Sequence, residues 1–313
     1  MKIKHSLVVP CYNEEGNVEI FLRETRKAMK DYTDDYEIIF VNDGSKDDTP
    51  KKLRKLFQEN KDVNIKVINF TRNFGKEAAM YAGFTQAVGE YVTVIDADLQ
   101  QDPKYAVQMG KILDENPDYD MVAAFQEKRK ESGFITLCKE MFYKVINKVT
   151  EVDFISDASD FRTLRRSVVK TILSLSEYHR FSKGIFSWVG YNTYAIPYEV
   201  RERESGETKW NFVKLLKYAF EGIIAYTDMP LKLPLYGGIA VLMLSAIMFL
   251  IFTILAITGL VHYFGFISAL IMFLAGLIMV FQGIAGVYIG KIHTQAKNRP
   301  IFIAKEILSY EDD

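Results

Sequence analysis

The run VIDADLQQDP at residues 94–103 drives an apolar strand straight into Asp96 and Asp98, followed by an amide pair and a third aspartate. Two carboxylates near one sheet edge raise each other's pKa and call for a positive partner. None is obvious in the neighbouring sequence. A divalent cation fills the gap, because Mg²⁺ or Mn²⁺ takes hard oxygen ligands and usually holds a substrate phosphate at its open positions.

The elements that must position these acids alternate in type. Apolar strand patterns at 6–10, 37–43, 65–70 and 91–96 are separated by helical patterns over about 18–30, 49–59 and 76–88. Continuous apolar strands alternating with helices predict a mostly parallel sheet covered on both faces, which binds ligands at the carboxyl ends of its strands. Those ends carry Tyr12-Asn13-Glu14-Glu15, Asn42-Asp43-Gly44-Ser45 and Asp96-Ala97-Asp98, so three polar clusters converge on one edge. A solvated turn capping a helix is the plain alternative for Asp96 and Asp98. It is disfavoured because the acids close an apolar strand beside the two other clusters. For Asp43 an Asx-turn within NDGS stands beside a ligand contact, and both readings hold together. No G-x-G-x-x-G and no Walker A pattern follows a strand, which weighs against dinucleotide binding and leaves nucleotide phosphates to metal and side chains.

At 313 residues with 49% hydrophobic content, the chain has ample material for a core, and a net charge of −1 says little about partners. The average hides an asymmetry: residues 233–290 contain no Asp, Glu, Lys or Arg. A spanning helix needs about 20 apolar residues, so this stretch predicts two spans, 235–260 and 264–290, joined by a short turn around Val261-His262-Tyr263. Lys232 precedes the pair, and Lys291, His293, Lys297 and Arg299 follow it, so both ends are expected on the cytoplasmic side. The apolar run at the N-terminus is too short for a signal peptide, which predicts that residues 1–232 stay cytosolic. Cys11 and Cys138 read as structural thiols, and His179, His262 and His293 lack any ligand or catalytic spacing. Segments 136–150 and 208–226 have one apolar helical face each, suited either to domain packing or to the membrane interface.

The stretches VVPCYNEE, FVNDGSKDDT, TRNFGKEAAMYAGF, VIDADLQQDP, SDASDFRTLRR and RERESGETKWNFVKLLKYAFEGI, in that order, resemble the family 2 glycosyltransferases that act on polyprenyl phosphate. Dolichol-phosphate mannose synthases and bacterial bactoprenol glucosyltransferases belong there, and the likeness covers residues 5–290. It implies a GT-A fold, Rossmann-like with a mostly parallel sheet, carrying interfacial helices and a two-helix transmembrane hairpin. The implied divisions are 1–135 for the nucleotide-sugar domain, 136–232 for the acceptor-side region, 233–290 for the spans and 291–313 for a cytosolic tail. By the same resemblance Pro10, Tyr12, Glu14 and Asp43 hold the nucleotide, Asp96 and Asp98 with Gln100 hold Mg²⁺ or Mn²⁺, and Asp160 stands at the reacting centre. Arg129, Arg162, Arg203 and Lys209 fall where the family presents basic groups to phosphates. Where an arginine is expected after the DMVAAF strand, this chain has Gln126.

The implied reaction moves a hexose from a nucleotide sugar to undecaprenyl or another polyprenyl phosphate at the cytoplasmic membrane face, with inversion. UDP-glucose is the first choice of donor, ahead of UDP-N-acetylglucosamine, UDP-galactose and GDP-mannose. A processive polysaccharide synthase is the runner-up, although Q-x-x-R-W and further spans are missing; a silent membrane scaffold is disfavoured by the intact aspartates. No nucleic-acid partner is expected, and a homo-oligomer is left open.

Overall fold

The computed structural model describes residues 3–126, 158–178, 180–200 and 264–310, with isolated positions between 234 and 254. Strands β1 (His5–Cys11), β2 (Tyr36–Asn42), β3 (Asn64–Phe70) and β4 (Tyr91–Val94) alternate with helices α1 (Val18–Met29), α2 (Thr49–Glu59) and α3 (Lys76–Gln86), matching the apolar patterns. Both faces of these strands are buried. Leu7 and Val9 pack with Phe21 of α1, Leu53 of α2 and Ala106 of α4 (Pro103–Glu115). Val8 packs instead with Ala79 and Phe84 of α3. Gly83 lets α3 lie directly on β1, since a Cβ there would fall 2.1 Å from a Val8 methyl.

Eight strands form one sheet in the order β7-β5-β6-β4-β1-β2-β3-β8. From β1 the chain winds outward through parallel β2 and β3, then returns to set β4 parallel on the other flank of β1. That reversal makes the carboxyl ends of β1 and β4 a topological switch point, where open α/β sheets bind ligands.

Strand β6 (Ala158–Arg165) is inserted between β4 and β5 (Met121–Gln126), antiparallel to both. The aspartates around 153–160 admit a helix-cap reading from sequence alone, but Asp160 lies inside this strand. Helices α5 (Arg166–Ser174) and α6 (Ser182–Trp188) cover it on the α3 side, and β7 (Thr193–Tyr198) extends the sheet beyond β5.

Helix α7 (Phe264–Ala296) continues past the predicted end at 290. Its part Phe273–Ala296, which contains an 18-residue stretch of mean hydropathy 1.9 and has no buried face, is long and apolar enough to cross a membrane. Described positions between 234 and 254 are helical as well. The amphipathic segments 136–150 and 208–226, the turn at 261–263, Cys138, Arg129, Arg203 and Lys209 lie outside the described residues. The segment read as a tail is partly structural: β8 (Ala304–Leu308) pairs antiparallel with β3 and closes that sheet edge. Phe302 stacks on Phe70 at 5.1 Å, and Glu306 takes a bidentate contact from Arg54 at 3.0 and 2.8 Å.

Candidate active site

The end of β2 is fastened before any ligand arrives. The Asp43 backbone N–H donates to Cys11 O at 2.9 Å, while Asn42 Oδ1 accepts from the Ser45 N–H at 3.0 Å. Asn42 therefore makes the Asx-turn, which frees Asp43 for another task. Its Oδ1 accepts from the Phe74 N–H at 2.6 Å and its Oδ2 from the Gly75 N–H at 2.9 Å. Burial pushes the Asp43 carboxyl pKa up, and the two backbone donors work against that shift. Gly44 sits beneath the same loop with φ +64°, and a Cβ on it would lie 2.3 Å from the Arg72 carbonyl carbon. Only glycine allows that approach.

The β1 loop meets the β2 loop through reciprocal contacts. Asn13 N–H donates to Ser45 Oγ, Lys46 N–H to Asn13 Oδ1 and Glu14 N–H to Thr49 Oγ1, each at 2.9 Å. Pro10 is half-buried, Tyr12 stands exposed at the mouth, and Glu14 accepts from Asn17 Nδ2 at 2.6 Å. Of the four residues assigned to the nucleotide, Tyr12, Glu14 and Asp43 thus belong to two interlocked loops and Pro10 to the end of β1 beside them.

Beyond β4, Asp96 and Asp98 occupy a turn in which Leu99 takes φ +60°. Gln101 orients Asp96 twice, accepting from its N–H at 2.9 Å and donating from Nε2 to Oδ2 at 3.3 Å. Gln100 is half-buried, and its N–H donates to Asp98 Oδ1 at 3.1 Å. Asp102 caps α4 by accepting from the Lys104 N–H at 2.9 Å. The amide pair therefore divides its work: Gln101, which sequence reasoning passed over, is the side chain that fixes Asp96.

The positive partner missing from the local sequence comes from α3. Lys76 Nζ lies 2.7 Å from Asp96 Oδ1 and 3.3 Å from Asp160 Oδ2. Strand register explains the meeting. Val94 of β4 pairs with Arg162 of β6, so continuing the antiparallel register sets Asp160 opposite Asp96. Desolvation opposes the Lys76 charge, but the two carboxylates outweigh it and its pKa rises above the ordinary lysine value. Burial likewise pushes the Asp160 carboxyl up, yet Lys76, Lys183 and Arg162 hold it below the ordinary carboxylate range. Asp160 is consequently an anion near neutral pH. Its Oδ1 is buried and accepts no hydrogen bond among the described residues.

Arg162 departs from its expected place as a phosphate-facing group. It is buried in β6 with its guanidinium 3.9 Å from the centre of the Phe186 ring. Burial lowers its pKa to about 10 against the raising effect of Asp160, so it stays charged at neutral pH. It supports Asp160 from inside the protein, because the alternation of β6 puts residues 160 and 162 on one face. A cavity of about 570 Å³ adjoins Asp160 and Lys76 and is also lined by Glu77, Arg180 and Lys183.

Asp96 and Asp98 fit a divalent metal in one specific sense. No group of three acidic, His or Cys side chains converges to hold an ion among the described residues. Two hard oxygen donors suit Mg²⁺ or Mn²⁺ whose remaining ligands come from substrate phosphate and water.

A mostly parallel α/β sheet with an aspartate pair at its switch point, joined by a buried aspartate on an inserted antiparallel strand, is the GT-A arrangement of a glycosyltransferase. The assignment becomes specific at the level of sequence: residues 6–173 match the model of Glycosyl transferase family 2, and the chain belongs to that family. "Putative glycosyltransferase CsbB" of Bacillus subtilis (strain 168) is 40% identical over 304 residues, 96% of this chain and 91% of that protein. "Prophage bactoprenol glucosyl transferase homolog" of Escherichia coli (strain K12) is 36% identical over 308 residues, covering 97% of this chain and 99% of its own length. Among solved structures, mannosyl-3-phosphoglycerate synthase from Rubrobacter xylanophilus shares the fold at a TM-score of 0.50 with 16% identity, covering 71% of this chain and 72% of that one.

Proposed function

We propose that this glycosyltransferase moves a hexose, glucose in the first instance, from a UDP-sugar to a polyprenyl phosphate at the cytoplasmic face of a membrane, inverting the anomeric configuration. The observation that carries the reading is the Asp96–Lys76–Asp160 bridge at the switch point. Support for the acceptor comes from the relatives named for bactoprenol glucosyl transfer and from the apolar helix at the C-terminal end. Gly237 lies against Phe281 of α7, where a Cβ would approach the ring to 2.8 Å, which supports two spans packed as a hairpin.

Asp96 and Asp98, with Gln100 beside them, are the residues that would hold Mg²⁺ or Mn²⁺. Such an ion neutralises charge on a departing diphosphate. The chain's own groups do the rest. Pro10, Tyr12, Glu14 and Asp43 frame the nucleotide, and Lys76 holds a fixed positive charge between the donor side and Asp160. A phosphate oxygen of the acceptor forms the new bond to the anomeric carbon as the bond to the UDP oxygen breaks, and that electron pair leaves with UDP. A phosphate monoester has its second pKa near ~6, so the nucleophile is already largely a dianion at neutral pH. Asp160 therefore positions the reacting groups and stabilises positive charge on the sugar carbon without having to remove a proton.

The test uses the full-length protein in membranes with radiolabelled UDP-glucose and undecaprenyl phosphate. Label entering the lipid fraction, abolished by EDTA and restored by Mn²⁺, is the expected result. Release of free glucose without lipid labelling, across a panel of UDP- and GDP-sugars, would sink the acceptor assignment.

A further inference from the structure

The carboxyl end of the sheet carries a line of polar side chains that the proposed reaction does not use. Strand register pairs Asn42 of β2 with Asn69 of β3, and Asn69 with Glu306 of β8. Residues paired across neighbouring strands put their side chains on one face, within reach of each other. Here they join end to end. Asn69 Nδ2 donates to Glu306 Oε2 at 3.1 Å, Asn42 Nδ2 donates to Asn69 Oδ1 at 2.9 Å, and Asn42 Oδ1 accepts from the Ser45 N–H at 3.0 Å. Both asparagines are buried, so water is not at hand to replace a lost partner.

The two ends of this line determine its middle. A carboxylate only accepts and a backbone N–H only donates, whereas an asparagine amide can turn over and present either its oxygen or its nitrogen. With Glu306 at one end and the Ser45 N–H at the other, a single arrangement of the two amides satisfies every contact. Removing the carboxylate strips Asn69 of the acceptor that holds its outer side, and Asn42 is then braced by a side chain fixed at one end only. From Ser45 the line continues into the β1 loop, where Ser45 Oγ accepts from the Asn13 N–H and Asn13 Oδ1 from the Lys46 N–H, each at 2.9 Å. Asn13 has φ +57°, a left-handed conformation that a residue other than glycine keeps only where its surroundings hold it. It lies between Tyr12 and Glu14, and Asp43 follows Asn42.

We infer that Glu306 is a positioning residue for the donor site: from β8 it fixes the Asn69–Asn42 pair and, through Ser45 and Asn13, the loops that carry Asp43, Tyr12 and Glu14. The inference rests on the function proposed above. Arg54 of α2 holds the Glu306 carboxylate with contacts of 3.0 and 2.8 Å. Strand β8 begins eight residues after α7 ends, so the donor loops take their alignment from the chain beyond the apolar helix. The strand does not depend on Glu306 for its place, because its backbone pairs with β3, Phe302 stacks on Phe70 at 5.1 Å and Tyr310 on Phe57 at 4.3 Å.

The experiment compares full-length wild type, Glu306→Leu and Glu306→Gln in detergent, by amide hydrogen exchange and by titration with UDP and Mn²⁺. Leucine removes the acceptor, and glutamine returns one through its amide oxygen. Without nucleotide, Glu306→Leu should speed exchange in the peptide covering residues 42–49 about fivefold or more, leaving α1 within about twofold. UDP affinity should weaken about three- to tenfold, the size of one lost hydrogen bond, and the KM for the nucleotide sugar should rise with it while kcat stays within about twofold. Glu306→Gln should restore most of each loss. Faster exchange through β1, β2 and α1 alike would make Glu306 a support of the whole sheet and overturn the inference, as would failure of glutamine to rescue. Exchange at 42–49 or UDP affinity unchanged by leucine would overturn it while leaving the proposed reaction intact. If wild type binds no UDP yet exchange at 42–49 follows Glu306, the positioning of the loops stands and the proposed nucleotide site fails.

Discussion

Replacing Asp43 by Asn separates a nucleotide contact from a structural one. In the wild type both carboxylate oxygens accept backbone N–H groups of the loop before α3, at 2.6 and 2.9 Å. Asparagine keeps one acceptor and turns a second donor toward a backbone donor. One charge-assisted bond becomes a neutral one, and one buried N–H loses its partner. Each change costs about 1–3 kcal/mol, and relief of the burial penalty that raises the Asp43 pKa offsets part of the sum. A net loss of about 2–3 kcal/mol follows, which for a domain of this size lowers Tm by roughly 5–10 °C. The same loop leads directly into Lys76 at the start of α3, so UDP-sugar turnover should fall together with stability. Differential scanning fluorimetry and UDP titration on one preparation give both numbers. A variant with wild-type Tm that no longer binds UDP would refute the clamp and leave Asp43 a nucleotide ligand alone.

Gly44→Ala should destabilise by about 2 kcal/mol or more, because the new methyl meets the Arg72 carbonyl carbon at 2.3 Å, whereas Gly75→Ala, at φ +96° with open space around it, should cost only about 1–2 kcal/mol; urea titrations compare them. Glu37 and Lys66 form a buried pair at 3.1 Å, so Glu37→Ala should cost about 3–5 kcal/mol by stranding the lysine together with the Ser6 hydroxyl and the Val88 N–H that also donate to Glu37, and a double replacement with Glu37→Leu and Lys66→Met should recover only the part due to the lysine in chemical denaturation. Burial, with Lys4 adding to it, lowers the His5 pKa to about 3, so between that value and the ordinary 6.5 the unfolded chain binds the extra proton. Stability from this residue is thus complete above pH 6.5 and is lost as pH falls toward 3; the slope of unfolding free energy against pH should flatten over that window in His5→Phe.

Sequence patterning located β1 to β4 and the first three helices to within a few residues, because strands buried on both faces must be continuous apolar runs and cannot be mistaken for surface segments. The aspartate turn was equally legible, since acids terminating such a strand have few structural uses. What stayed hidden depends on pairing across the sheet. Strand β6, ASDFRTLR, mixes charge with apolar residues because one end reaches the site while the other enters the core. Its register, which sets Asp160 opposite Asp96, has no local signature. Arg162 reads from the resemblance as a phosphate-facing cation, and only its burial in β6 against Phe186 shows it to be interior. Nor could a five-residue segment after an apolar helix be known to return to β3, since a strand that short carries little pattern of its own.

The site's electrostatics explain why a lysine, and not a second metal or an arginine, stands between the two carboxylates. Asp96 and Asp160 come from different strands, and without Lys76 their charges would oppose each other across the switch point. An ammonium is a compact point charge that serves both without imposing the planar two-toothed geometry of a guanidinium. Its place is fixed from the far side: Asp43 holds Phe74 and Gly75, and Lys76 is the next residue along the chain. The end of β2 therefore sets the charge that joins the end of β4 to β6. On the function proposed above, residues 74–76 adjoin both the Asp43 side proposed for the nucleotide and the Asp160 side proposed for the reacting centre. Lys76→Met should accordingly weaken both substrates, and steady-state kinetics with each substrate varied in turn reads the two effects. Loss of donor affinity alone in Lys76→Met would show that the lysine serves the diphosphate and that the two halves of the site are not coupled through it.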